Sequence, residues 1–519
     1  MRINIVGGGP AGLYFAILMK KMDPENEITV AERDGPNDTF GWGIVFSQKT
    51  MSLLRENDPE TYAETLAATE SWDHVNVVHR DTKIPARGNT FYGIRRLTFL
   101  NVLHKRCGEL GIDIRFQTNV ADEKELESWS RACDLLVGAD GANSIVRKAF
   151  ADFFLPMTDL RQNKYVWLGT NQLFDGLTLT FRESQAGLFI AHSYRFSPSM
   201  STFIVEVPPD TWLASGLAHM RESETCAYLE DVFRLDLGGH KLLANNFLRW
   251  VNFLLLKNKR WSHRNIVLLG DALHTVHFSI GSGTKLALED AVYLARSLQR
   301  YPDIGAGLKE FERTRKPMID QFQDAAVSSL TWLENVDKYT HLEAIPFAYG
   351  VVTRSNRVGY NRLKRQAPEF IEQYEEWRRQ QPSTGAIPRE FLDLFNKVSY
   401  GHLATLMPDG TPQVTSVWVD YDGKYILINS AKGRQKDRNM ERDPQVALQI
   451  PDPDNPNRFL GIRGRVVDIA EQGADDHLDK LAQRYLARDH YPAAWRFPNE
   501  VRRIYKIEPQ HVTAWEPFG

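Results

Sequence analysis

Cysteine is scarce: three residues in 519, Cys107, Cys133 and Cys226, lie far apart with no CxxC pair among them. That excludes a disulfide framework and a thiolate zinc site, and it suits a reducing compartment. Net charge is nearly absent too. The 63 basic and 66 acidic residues leave −3 at neutral pH, so no global field draws the chain to nucleic acid or to an anionic membrane. No apolar run approaches the ~18 residues of a membrane span. The apolar start, Met1–Val6, runs straight into glycines and is too short for a secretory signal. HExxH and other His/Cys ligand spacings are missing, as are internal repeats and low-complexity tracts. These absences predict a soluble, cytoplasmic protein with no metal site, no membrane segment and no nucleic-acid partner.

What is present is a long globular chain. Hydrophobic residues make up 42% and charged residues 25% of it, and its length exceeds the ~250–300 residues one core supports, so two to four domains are expected. The opening reads strand Arg2–Val6, glycine turn, helix Pro10–Met22, strand Ile28–Ala31. Asp134–Ala139 is almost wholly apolar, as a strand covered on both faces would be. Between about 160 and 260 the pattern alternates, as in Leu177–Phe181 and Ser201–Val207, predicting an antiparallel sheet with one wet face. A buried strand at Asn265–Leu269 and a helix at Gly283–Leu298 follow, and Ile304–Trp377 reads as mainly helical.

Residues 381–388 carry two prolines, a glycine and small polar residues, which is linker chemistry. The predicted domains are therefore 1–380 and 389–519. The second has all-β periodicity, with strands at Gly401–Met407, Gln413–Tyr421, Lys424–Asn429, Val446–Ile450 and Gly461–Ile469. Asp409-Gly410 and Asp422-Gly423 fall where tight hairpin turns need them.

Three motifs in the first domain carry chemistry. Gly7-Gly8-Gly9-Pro10-Ala11-Gly12 is a GxGxxG between a strand and a helix. Glycine allows the sharp turn at Gly7, close approach to a pyrophosphate at Gly9, and tight helix packing at Gly12, with the helix N-terminus facing the phosphates. Glu32 ends the next strand, where a carboxylate would hold a ribose hydroxyl pair, with Arg33 beside it. The second motif runs Gly138-Ala-Asp140-Gly141…Ser144-x-Val-Arg147, and the third runs Gly270-Asp271-Ala-x-His274…Gly281-Ser282-Gly283-Thr284. Asp271 closes a strand at a sheet tip, and the glycines before the next helix would turn backbone N–H groups toward an acceptor. Taken singly, each has a bland alternative: a structural turn for the glycines and for Asp140, a helix cap for Asp271.

In this order and spacing the three motifs resemble those of the class A flavoprotein monooxygenases, the FAD-dependent aromatic hydroxylases, over roughly residues 1–380. The resemblance implies an α/β FAD-binding Rossmann-like domain with an interleaved antiparallel substrate sheet, using NAD(P)H and dioxygen. It assigns Arg96, which opens an Arg-x-x-Phe-x-x-x-Leu helix, to FAD, the alternative being a surface ion pair. Two departures stand out: Phe278 where the family usually has proline, and Ser282 where it has an amide. Longer stretches, Gly41–Ser47, Lys164–Thr170, Gly187–Tyr194 and Ser201–Glu206, resemble the subfamily acting on salicylyl-CoA and anthraniloyl-CoA. His277–Thr284 also resembles indole-ring hydroxylases. The expected substrate is an electron-rich arene, most simply a salicylyl-CoA-like thioester. The alternatives are an indole- or tryptophan-derived intermediate, and a flavoprotein reductase that inserts no oxygen. His192, His274 and His277 are the candidate proton-handling groups, with a structural role as the alternative for each. Arg354, Arg357, Arg362, Lys364 and Arg365 form a basic stretch suited to CoA phosphates or simply to a solvated helix face.

In the second domain, Arg434, Lys436 and Arg438 cluster where a helix should open, suiting a phosphate. With Gly401–Thr405, Asp409–Gln413 and Ser416–Trp418 they resemble the split β-barrel family related to pyridoxamine phosphate oxidase. That resemblance implies FMN or a deazaflavin as a possible second cofactor and a homodimer formed through the barrel. A barrel that has lost its cofactor and only dimerises is the alternative.

Overall fold

The computed structural model describes residues 1–39, 41–244, 248–380, 386–455 and 457–515. Most of the predicted linker, residues 381–385, lies outside the described residues. The chain divides into two compact units, Met1–Glu376 and Trp377–Gly519.

The first unit is built on a six-stranded sheet in the order Ser262–His263, Ile266–Leu268, Leu135–Gly138, Arg2–Val6, Glu27–Ala31, Asp113–Arg115. Every pairing is parallel except the first. Ile5 lies between Val30 and Val137 in register. All four residues of Leu135–Gly138 are buried, which accounts for the unbroken apolar run. The helix Pro10–Met22 has proline in its first turn and every residue from Ala11 to Met19 buried. It is covered on several sides because helices Arg96–Glu109 and Gly283–Arg300 pack on it. Its C-terminal carbonyls give way to a loop held by Lys20, whose ammonium donates to Pro24 O at 2.6 Å and Asn26 O at 2.7 Å.

A second, nine-stranded sheet stands against this core. Its antiparallel centre is Pro156–Thr170, Met200–Val207, Gly187–Ser197 and Leu177–Ser184. The sheet is larger than the alternation between 160 and 260 predicts. Strands Gly43–Ser47, Glu70–His79 and Thr82–Arg95 also join it, through a parallel pairing of Val77 with Leu179. A pairing across a hundred residues leaves no local signature, so periodicity alone misses it. Helices dominate from Ile304 to Gln380, the longest being Ile304–Glu334.

In the second unit, six strands close into an antiparallel barrel: Tyr400–Leu406, Pro412–Tyr421, Ile426–Ala431, Arg502–Trp515, Phe459–Ala470 and Gln445–Pro451. Gly410 and Gly423 sit at the predicted hairpins with φ of +82° and +96°, conformations that favour glycine. The closing strand, Arg502–Trp515, is the one the sequence pattern did not reveal. Leu403, Val419, Ile426, Ile428 and Tyr505 are fully buried in the barrel's own core. Among the described residues, no helix is long and apolar enough to cross a membrane.

Candidate functional site

Two adjoining cavities, about 520 and 610 Å³, lie where the parallel sheet meets the antiparallel one, and they share Gly9, Arg96, Ala139, Gly141 and Asn143. The glycine turn shapes the first. Gly7 takes φ +108°, and a Cβ there would meet Ala139 O at 2.4 Å. A Cβ on Gly12 would meet Gly7 O at 2.4 Å, so Gly12 serves packing between helix and strand. Gly9 is different: a Cβ there would meet nothing within 4 Å. Its bareness keeps a space open, as the approach of a pyrophosphate requires.

Glu32 and Arg33 line the same cavity. Glu32 braces the loop, its Oε2 accepting from Gly8 N at 2.7 Å and its Oε1 from Asp34 N at 2.9 Å. Arg33 is exposed beside Asp34. Asp140 accepts from the backbone N–H groups of Ile145 and Val146 through one oxygen, at 2.6 and 3.3 Å. Its other oxygen is buried without a partner among the described residues, and burial raises its pKa. Arg147, which closes that motif, is buried and donates to Ala272 O at 2.9 Å and Ala142 O at 2.5 Å. It therefore ties the second motif to the third.

Arg96 lines both cavities. Its Nε donates to Thr39 Oγ1 at 3.1 Å, and deep enclosure lowers its pKa against the field of Asp271. It is no surface ion pair. Ala11, Asp271, Gly281, Gly283 and Thr284 line the second cavity. Asp271 lies in the short turn Gly270–Ala272 that follows strand Ile266–Leu268 and lines the cavity, where desolvation raises its pKa against the opposing fields of His274 and Arg96. Gly281 adopts φ +57° and turns the chain into the helix Gly283–Arg300.

The opposite wall is one face of the antiparallel sheet. By register, Tyr165 and Trp167, Ile204, His192 and Tyr194, and Leu177 and Leu179 fall on the same side, and all line the cavity. The three candidate histidines part company here. His192 lines the cavity, with Nε2 3.2 Å from Glu206 Oε2. His277 is buried behind the loop, between the rings of Phe253 and Phe278 at 4.9 and 4.1 Å. Burial pushes its pKa down to about 4, against the pull of Glu206. His274 is directed away from the cavity into a buried network, Nε2 2.8 Å from Asp290, which also accepts from Arg315 Nε at 2.8 Å. His274 thus takes the structural alternative, because the loop after Asp271 folds back onto the helix beneath it.

The basic stretch is likewise dispersed. Arg354 is half-buried and its guanidinium is engaged within the fold, donating to Ser329 Oγ at 2.9 Å and Ser279 O at 2.6 Å. Arg357 lies 3.8 Å over the ring of Phe322, and Arg362 bonds Gln366.

In the barrel unit, Arg434 precedes the helix Gln435–Arg442 and Lys436 lies in its first turn. Lys436 is buried, with no hydrogen-bond or ion-pair partner among the described residues. Its pKa falls to about 8 through burial and the fields of Arg434 and Arg502. Arg438 is exposed and turned back onto Gly433 O at 2.9 Å and Gln435 Oε1 at 2.7 Å. The cations brought together are Arg434, Lys436 and Arg502, and Arg438 is not among them. Arg502 comes from the closing strand, 66 residues beyond Lys436 in the chain, and local spacing offers no sign of it.

A family profile described as FAD binding domain matches residues 1–326, and one described as pyridoxamine 5'-phosphate oxidase matches residues 387–516. The chain is 39% identical to a salicyloyl-CoA 5-hydroxylase of a Streptomyces species, over 68% of this chain and 70% of the relative. It is 35% identical to protodeoxyviolaceinate monooxygenase of Chromobacterium violaceum, over 67% of this chain and 92% of the relative. The fold is shared with 2-methyl-3-hydroxypyridine-5-carboxylic acid oxygenase, TM-score 0.54 at 17% identity, over 70% of this chain and 98% of that one. The chain belongs to the FAD-dependent aromatic monooxygenases.

Within this family of flavoprotein enzymes, the cradle at Gly9 and the cavity lined by Asp271 fit FAD. The sequence motifs include Arg147, Trp167 and Glu206 but give none of the three a role of its own. Glu206 had a visible signal: it is the one charge inside the otherwise uncharged strand Met200–Val207, and it is 1% exposed. Phe278, at the family's usual proline position, packs 4.8 Å from Tyr165 and 5.2 Å from His192. Ser282 turns its hydroxyl back to Ile280 O at 3.0 Å.

Proposed function

We propose that the first unit hydroxylates an electron-rich aromatic ring whose carboxyl group is masked as a thioester, resembling salicylyl-CoA, with NAD(P)H as reductant and dioxygen as oxygen source. The observation that carries this reading is the charge of the cavity wall. Tyr165, Trp167, Ile204, Leu177 and Leu179 present rings and hydrocarbon, and Arg96 is the only Lys or Arg that lines the cavity among the described residues. With Arg96 assigned to FAD in this reading, a free carboxylate against that wall would be desolvated without a cation to pair with, which costs several kcal/mol. A thioester carries no such charge. The 39% identity to a salicyloyl-CoA 5-hydroxylase supports the same choice.

In this reading Gly7, Gly9, Glu32, Arg33, Arg96 and Asp140 hold the nucleotide end of FAD, and Ala11, Asp271, Gly281, Gly283 and Thr284 hold the flavin end. Gly12 acts by packing. Bound FAD supplies two-electron reduction by the nicotinamide and activation of dioxygen. The chain's own tasks are to orient the arene on the aromatic wall, to keep water out, and to take a proton at His192. A second reading, hydroxylation of an indole-derived intermediate, draws on the likeness to protodeoxyviolaceinate monooxygenase and on the same aromatic wall, which suits an indole equally well.

For the second unit, Arg434, Lys436 and Arg502 form an anion site for FMN or a deazaflavin phosphate, and the barrel pairs with a second copy as a homodimer. An NAD(P)H-consumption screen over aryl-CoA thioesters, free aromatic acids and indoles, with product masses measured, tests the assignment. The expected result is substrate-stimulated oxidation and a product heavier by one oxygen with a thioester. Turnover of free acids in preference to thioesters would overturn the masked-carboxyl reading, and reduction without oxygen insertion would overturn hydroxylation.

A further inference from the structure

Glu206 is a carboxylate buried next to the cavity wall, and nothing in FAD binding requires it. It is 1% exposed, and it lies on the same sheet face as His192. Register explains the contact: His192 pairs with Ile204, and Glu206, two residues on, reaches diagonally to it. The Glu206 Oε2 to His192 Nε2 distance is 3.2 Å, and Glu206 Oε1 accepts from Asn163 Nδ2 at 2.8 Å. Burial would raise the carboxyl pKa, but the bonds from His192 and Asn163 and the field of His277 bring it below the ordinary value. The carboxylate is therefore held as an anion in a dry place, where its field on an adjacent ring is strong.

We propose that Glu206 is the positioning residue that makes His192 the proton acceptor for the substrate's ring hydroxyl. The inference rests on reading this cavity as the site of aromatic hydroxylation. With Nε2–H committed to Glu206, the imidazole is fixed in one tautomer and the other nitrogen remains as the acceptor. The substrate O–H bond breaks, its electron pair stays on oxygen, and the proton forms an N–H bond on His192. No atom changes oxidation state. The phenolate so formed pushes electron density into the ring carbons that receive oxygen. Glu206 compensates the imidazolium, and Asn163 holds Glu206 in place.

The groups facing this pair come from several elements. Tyr165 lies beside Glu206 on the neighbouring strand, and Asp271 acts on Tyr165 across the cavity. His277 and Phe278 belong to the covering loop. Arg354, half-buried, donates to Ser279 O of that loop and has no carboxylate contact among the described residues, and Arg161 acts on His277. The field of Glu206 also reaches Arg354, where it raises the pKa against the lowering by burial.

The test uses the FAD-loaded full chain and 4-nitrophenol, a phenol whose ionised form is yellow and readable as a difference spectrum. The wild-type chain should bind the probe as phenolate and shift its ionisation midpoint down by about one pH unit, a tenfold change in the constant. Glu206→Gln, which keeps size and packing, should move the midpoint back by about the same amount and lower kcat on salicylyl-CoA roughly tenfold, with KM little changed. A wild-type chain that leaves the midpoint unshifted overturns the proposal. So does an E206Q midpoint equal to wild type when FAD content and melting temperature are retained. If E206Q does not fold, His192→Asn carries the test, and phenolate stabilisation persisting in it overturns the assignment. Wild-type turnover with no oxygenated product would instead sink the hydroxylation reading, which the nitrophenol midpoint does not measure.

Discussion

Three glycines of one motif do three different jobs, and the difference is measurable. Gly7 is held by its positive φ and by Ala139 O, Gly12 by Gly7 O, and Gly9 by nothing in the chain itself. Gly12→Ala should therefore damage the fold. Its Cβ would meet backbone oxygen at 2.4 Å, and overpacking of this kind costs roughly 1–3 kcal/mol. Gly9→Val should fold with the wild-type melting temperature and yet emerge without bound flavin, read as lost visible absorbance. A Gly9→Val chain that stays yellow would remove this glycine from the cofactor site. At the same scale, the three histidines looked alike in sequence. Only tertiary placement separates His192, on the cavity, from His277 behind the loop and His274 in its pairing with Asp290.

At the scale of elements, the helices of the first unit are fastened at their ends by charge. Asp58, fully buried, precedes helix Pro59–Ala67 and receives Lys21 from the end of Pro10–Met22 and Arg106 from Arg96–Glu109, the latter at 3.2 Å. Burial alone would raise its pKa, but the bonds from Lys21, Thr61 and Arg106 prevail and hold it at about 2, below the ordinary 3.8. A carboxyl lowered by folding stabilises the native state above its unfolded pKa and loses that contribution as pH falls through the folded value. The shift corresponds to about 2 kcal/mol at neutral pH. Stability of the wild-type chain should decline between about pH 5 and 2, and Asp58→Asn should flatten that acid limb in urea titrations followed by far-UV dichroism. An unchanged limb would mean that the three helices are held otherwise.

On the scale of the whole molecule, each unit has its own core and its own candidate anion site. Substituting Lys436 and Arg502 together should weaken FMN binding a hundredfold or more while FAD content stays at the wild-type level, since each charge-assisted contact is worth roughly 1.5–3 kcal/mol. The same affinity should fall as pH rises past about 8, where the Lys436 ammonium loses its proton. Isothermal titration with FMN and flavin release on denaturation measure the two quantities separately. An FMN affinity untouched by both the substitutions and pH would overturn the anion site and leave only the proposed dimerisation for the barrel.

The sequence by itself determined what depends on short spacing. The helix bounds Pro10–Met22, an apolar central strand within Asp134–Ala139, the glycine motifs and the two Asp-Gly hairpins follow from local sterics and periodicity, and the structure carries them there, the strand at Leu135–Gly138. Family membership was legible for the same reason, because phosphate and flavin cradles are built from contiguous loops. What only the tertiary structure decided are the pairings across long stretches of chain. Strand Glu70–His79 joins the nine-stranded sheet beside Leu177–Ser184, Arg502 replaces Arg438 beside Lys436, and Glu206 meets His192 diagonally across two strands. Each is fixed by burial and register among distant residues. A linear pattern records neither, because a residue's partner across a sheet is chosen by the face it buries and not by its neighbours in the chain.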